Sequence, residues 1–191
     1  MTQTELNRRQ RHKEWAFHKT LSDRSVYARY FSSPDLNTRI AHERLARLCF
    51  VHYGREIALV VDKREPVSGH HGLLGIGRVI KLRDGNHAEV AGLVSDQSRG
   101  QGLGTKLFRK LIEIARHEGL SRVSAEMLSE NFAMRWLADK LGLRTAPGPI
   151  SSSVTALLDL RAGARLMSLI RQSLQDRRAL SSLINRCLAA D

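Results

Sequence analysis

The run Arg99-Gly-Gln-Gly-Leu-Gly104 lies between a β-like segment and a long apolar helical stripe, and it constrains the fold more than any other feature of the 191 residues. Glycine at 100, 102 and 104 removes three Cβ atoms from one short turn, so the backbone there can take positive φ and approach another group closely. The stripe that follows, Leu103, Leu107, Leu111, Ile112, Ile114 and Ala115, recurs at three- and four-residue spacing and ends near Gly119. A helix that starts in a glycine turn presents the free N–H groups of its first turn, and such a place suits an anion. No Gly-Lys-Ser/Thr follows, so the turn is not a Walker A loop. Thr105 stands where the sixth position of a GxGxxG fingerprint needs glycine, so it is not a dinucleotide turn either.

The surrounding chain alternates strands and helices. Residues 56–62 and 72–80 are short apolar runs that read as strands, and Asp84-Gly85-Asn86 is a turn leading into a third strand over 87–94. After the helix, residues 122–128 read as a strand, 131–140 as a shorter helix stopped by Leu141-Gly142, and 152–160 as a last strand beyond a Pro147-Gly148-Pro149 loop. A meander followed by β-α-β-α-β predicts a mixed α/β (α+β) domain.

With these residues in place, Arg99-Gly-Gln-Gly-Leu-Gly104 resembles the Arg/Gln-x-x-Gly-x-Gly/Ala motif of the GNAT acyltransferases, and Asn131 with Leu141-Gly142-Leu143 resembles the helix that follows it. The likeness runs over about residues 24–160. Ser25-Val-Tyr-Ala-Arg-Tyr-Phe31, Tyr53-Gly-Arg-Glu-Ile-Ala-Leu-Val60 and Ala88-Glu89-Val90 are similar to the catalytic domain of bacterial protein lysine acetyltransferases. The resemblance implies one GNAT-like domain with a mixed, mainly antiparallel central sheet flanked by helices. It implies acetyl-CoA as co-substrate, its pyrophosphate on the backbone of Arg99, Gly100, Gln101, Gly102, Leu103, Gly104 and Thr105. The pantetheine would lie along Leu93 and Val94 like an added strand, Gly92 would bulge and splay the sheet, and Asn131 would touch the cofactor from the second helix.

Acyl transfer to an amine needs the neutral amine, and a lysine is almost wholly protonated at pH 7. Glu89 interrupts an apolar strand a few residues before the cofactor segment and matches the glutamate of the lysine acetyltransferases, which makes it the expected general base; Glu126 and His87 are its rivals. The family's frequent tyrosine, seven residues after the helix asparagine, is replaced by Ala138, so no general acid is assigned. The acceptor expected is a protein lysine, with a small-molecule amine, or an acyl-CoA sensor of little activity, as the alternatives.

Composition sharpens the partner question. The 31 Lys and Arg against 19 Asp and Glu give +12, a nucleic-acid-like balance, but residues 56–160 hold 14 basic against 12 acidic side chains. The excess sits in residues 1–55, with 11 against 5, and residues 161–191, with 6 against 2. Three segments follow: a basic extension over 1–23, the domain over 24–160, and a basic amphipathic helical tail over 161–191. The tail is expected to dock on its own domain or on a second copy, with nucleic acid or an anionic membrane as secondary readings. Arg39, Arg44 and Arg47 form a basic, solvated helix face, and Trp15, Phe17, Tyr27, Tyr30 and Phe31 pack the first helices on the sheet. His70-His71 lack a third partner and Cys49 and Cys187 lie far apart, so no metal site is expected. No apolar run serves as a membrane span or signal core, and a cytoplasmic location is expected.

Overall fold

The computed structural model describes residues 15–32, 34–41, 54–64 and 71–161. The chain divides into two compact units, Met1–Leu158 and Asp159–Asp191, and the described residues fall almost wholly in the first. The tail over 162–191, Arg44 and Arg47, and His70 lie outside the described residues.

Alternating apolar runs build a six-stranded sheet. Its strands are β1 (Glu56–Arg64), β2 (His71–Lys81), β3 (His87–Val94), β4 (Arg122–Leu128), β5 (Arg144–Pro147) and β6 (Ser153–Asp159), in the spatial order β1-β2-β3-β4-β6-β5. The meander β1-β2-β3 is antiparallel, and β5 pairs antiparallel with β6. The β2–β3 turn is tied by Asp84, whose carboxylate accepts from the N–H groups of Asn86 and His87, each at 3.0 Å, while Gly85 takes φ 68°. β3 and β4 run parallel, joined through α3 (Leu103–His117) as a crossover needs. Further helices among the described residues are α1 (Asp23–Tyr30), α2 (Leu36–Ile40) and α4 (Phe132–Lys140), with a helical stretch at 15–19 and a 3-10 turn at Asp96–Ser98.

Each face of the meander is covered. Leu107, Phe108, Leu111, Ile112 and Ala115 of α3 are buried against one face. A Cβ on Gly77 of β2 would meet the Leu111 and Leu107 side chains at 2.8 and 3.0 Å, which shows how closely that helix lies on the strand. On the other face, Phe17, Leu21 and Val26 form a buried cluster against which Tyr30, Leu73, Ile76 and Leu93 pack. The expected packing of Phe17 and Tyr30 on the sheet is therefore found, whereas Tyr27 is largely exposed.

Three expectations are corrected. β3 does not bulge at Gly92: it stays in register opposite Gly77, and the missing side chain makes room for the Phe108 ring, which a Cβ would meet at 2.7 Å. The irregularity of the meander lies instead at Val61/Asp62 in β1. Arg39 is not on a solvated face; it is buried, with its guanidinium on the Asp23 carboxylate at 3.2 Å and the Leu21 carbonyl at 3.5 Å. β5 was not expected, because its four residues are all exposed and carry no alternation; Pro147 closes it, as proline can at a sheet edge.

Candidate active site

The parallel pairing of β3 with β4 is confined to three residue pairs, His87 with Arg122, Ala88 with Val123 and Glu89 with Ser124. Beyond Glu89 the two strands have no pairing, so Val90, Gly92 and Val94, whose backbone groups turn away from β2, present them to a cleft. Gly92 and Leu93 of β3, Glu126 and Met127 of β4, and Asn131 and Met134 around the start of α4 line it, and Ser25 and Arg29 of α1 reach it. The sheet is thus splayed from Val90 onward by loss of pairing on the β4 side, and not by a bulge at Gly92.

The glycine turn follows the far end of the open segment of β3. Gly100 and Gly102 have φ of 72° and 76°, and no atom lies within 4 Å of where a Cβ would stand on either. Gly102 is the N-cap of α3 with no side-chain capping bond, and the first helical hydrogen bond runs from the Lys106 N–H to the Gly102 carbonyl at 3.1 Å. The N–H groups of Leu103, Gly104 and Thr105 therefore precede the helical ladder at the positive end of its dipole. At Gly104 the Leu137 methyl comes within 3.4 Å of a Cβ position, so this glycine lets the helix start lie close to α4. An open cradle of backbone donors, free of carboxylates, fits a pyrophosphate.

Glu89 is half-buried, opposite Ile80 on β2 and beside Ser124 on β4 at the closed end of the cleft. By strand alternation it shares a face with Ala91 and Leu93. The β3 backbone from Glu89 to Val94 spans about 16 Å. Leu93 and Val94 lie half-buried along the cleft side of the strand end. Glu126 stands in the cleft wall, whereas His87 places Nδ1 2.6 Å from the Asp84 carboxylate. Asn131 caps α4, its side-chain oxygen accepting from the Met134 N–H at 3.2 Å, and so borders the cleft by folding necessity. Ala138 is fully buried in α4 and Trp136 is exposed with Lys140 over its ring at 4.5 Å; neither lines the cleft.

Arg99 faces α1 rather than the cradle. Its Nη2 lies 2.6 Å from the Ser25 hydroxyl and 3.0 Å from Asp96. Asp96 also accepts from the Ser25 hydroxyl at 2.5 Å and the Ser22 N–H at 2.8 Å. Since the Ser25 proton goes to Asp96, the 2.7 Å contact between the two serine hydroxyls is donated by Ser22. Partial burial opposes the Asp96 charge, but the bonds from Ser25 and Ser22 and the Arg99 guanidinium outweigh it and hold its pKa below the ordinary aspartate value. This knot escaped the sequence reading because its members lie more than seventy positions apart.

Among the described residues no group of three or more His, Cys, Asp or Glu could hold a metal ion, and no helix is long and apolar enough to cross a membrane. The family profile described as Acetyltransferase (GNAT) domain matches residues 8–144. The chain belongs to the GNAT acetyltransferase family. It is accordingly an acyltransferase of a family that uses acetyl-CoA as acyl donor. The GNAT fold is matched by the GNAT domain of S. lividans PAT, with a TM-score of 0.69 over 80% of this chain and 86% of that one at 22% identity. It is also matched by yncA of Salmonella typhimurium, determined with acetyl-CoA, at 0.53 over 79% and 87% and 22% identity. In sequence, 64 residues are 41% identical to Acetyltransferase Pat of Mycolicibacterium smegmatis, covering 32% of this chain but only 19% of Pat. A Bacillus subtilis protein named "Putative ribosomal protein bS18-alanine N-acetyltransferase" is 29% identical over 65% of this chain and 73% of its own length.

Proposed function

We propose that this GNAT domain transfers an acetyl group from acetyl-CoA to the side-chain amine of a protein lysine, with Glu89 as general base. The observation that carries the reading is the parting of β3 and β4 immediately after Glu89 and Ser124, with the glycine cradle beyond the other end of the open strand. The resemblance of residues 25–31, 53–60 and 88–90 to the protein lysine acetyltransferases supports lysine as the acceptor.

In this reading the amides of residues 99–104 and the first turn of α3 hold the pyrophosphate. Arg99 acts there through its backbone, since its side chain is engaged with Ser25 and Asp96. Val94, with Gly92, offers the backbone groups of β3 that turn away from β2 to the amides of the pantetheine, while Leu93, whose own N–H and carbonyl turn toward Ile76, borders its path with Asn131. Acetyl-CoA supplies the activated carbonyl. Glu89 takes a proton from the acceptor ammonium, the freed amine forms the new C–N bond, the C–S bond breaks, and the second proton shed by the nitrogen as the amide forms passes through water to the departing coenzyme A thiolate. Backbone N–H groups on the open edge of β3 face the carbonyl oxygen as it gains charge.

A second reading, an N-terminal α-amine as acceptor, is favoured by the Bacillus subtilis relative. Thiol release measured with lysine peptides blocked at the N-terminus, and with lysine-free peptides bearing a free N-terminal alanine, separates the two. Turnover of the blocked lysine peptides is expected. Turnover of the alanine peptides alone selects the second reading, and acetyl-CoA binding without turnover of either overturns both.

A further inference from the structure

Arg29, in the last turn of α1, borders two cavities at once: the cleft between β3 and β4, and a second one roofed by residues 17–18 and α1. Ile76, Ile80, Ala91 and Leu93 floor the second cavity. That floor is the sheet face that carries Glu89, and Ile80 is the register partner of Glu89. A molecule under α1 therefore lies on the sheet face that carries Glu89, next to the cleft, and against Arg29.

Two guanidinium groups line this cavity, and they are not equivalent. Arg78 is ion-paired with Glu56, which offsets its charge. Arg29 is matched by no carboxylate among the described residues; its guanidinium lies 5.1 Å from the Tyr30 ring centre. An unmatched guanidinium repels an incoming ammonium. A carboxylate close in space to the amine turns that repulsion into a charge-assisted, two-pronged contact, and the same guanidinium rejects basic surroundings by sign.

We propose that Arg29 is a specificity-determining residue that selects amine acceptors with a carboxylate close in space to the reacting nitrogen. The inference rests on the acyltransferase reading above. The carboxylate belongs either to an acidic side chain next to the target amine of a protein or to a small amino acid.

The test measures kcat/KM with acetyl-CoA for three lysine peptides flanked by Glu, Ser or Arg, and for free amino acids against the corresponding simple amines, in wild type and Arg29→Glu. Calorimetry on both proteins gives the acetyl-CoA affinity. At saturating acetyl-CoA the Glu-flanked peptide or the amino acid should exceed its neutral counterpart by about tenfold, chiefly through KM, and Arg29→Glu should reverse the order. The arm that shows the preference identifies the source of the carboxylate. Turnover with no charge preference, an unreversed preference in Arg29→Glu, or a loss confined to acetyl-CoA affinity overturns the proposal alone. Absence of turnover on every acceptor overturns the acyltransferase reading and the proposal with it.

Discussion

Glu126 lines the cleft, Glu89 sits at the last residue pair before it opens and is not among its lining residues, and His87 is drawn off by Asp84. Replacing Glu89 by Gln keeps the size and the strand position but removes the proton acceptor, so kcat should fall by about 100-fold or more while acetyl-CoA binding persists. Stopped-time thiol release on Glu89→Gln and Glu126→Gln decides between them; an unchanged Glu89→Gln would pass the role to Glu126. Gly102→Glu tests the cradle. Its φ of 76° strains any L side chain, and the open space at its Cβ position would fill with a carboxylate where a pyrophosphate is proposed. Loss of acetyl-CoA binding in calorimetry is expected, and retained affinity would place the pyrophosphate elsewhere.

Between elements, the Asp96 knot links the turn before the cradle to the first turn of α1. The Asp96 pKa is lower in the folded chain than in the unfolded one, so unfolding takes up protons in acid. The stability it contributes is complete above the ordinary value of 3.8 and is lost as pH falls through the lower folded value. Asp96→Asn should cost about 2 kcal/mol near neutrality and flatten the acid side of the stability curve. Urea midpoints from pH 3 to 7 measure both effects, with a residual slope left to Asp84, whose carboxyl is lowered by the Asn86 and His87 N–H groups. The same scale shows what could be read in the chain. The limits of β3 and β4 follow from local alternation and turn chemistry, and the glycines at 100 and 102 announced the cradle. The Asp96 partners, the lost pairing beyond Ser124 and the company of Arg29 arise from contacts distant in sequence, and a four-residue exposed strand such as β5 leaves no pattern at all.

For the whole molecule, a ligand that binds only the folded chain must stabilise it. Acetyl-CoA at about 100 times its Kd adds about 2.7 kcal/mol, and a protein of this size should then melt about 5–10 °C higher. A scanning fluorimetry titration checks this, with Gly102→Glu expected to stay flat. The short junction between β3 and β4 gives the same binding event a mechanical meaning. Three residue pairs are a thin seam between two plates, the β1-β2-β3 meander on one side and β4, β6 and β5 on the other. A molecule laid along the open strand is mortar in that joint. The amide protons of Val90, Gly92 and Val94, turned away from β2, should exchange with solvent readily in the empty protein and slow when the gap is filled, so that in the proposed reading the two plates are joined beyond the seam only while acetyl-CoA is bound.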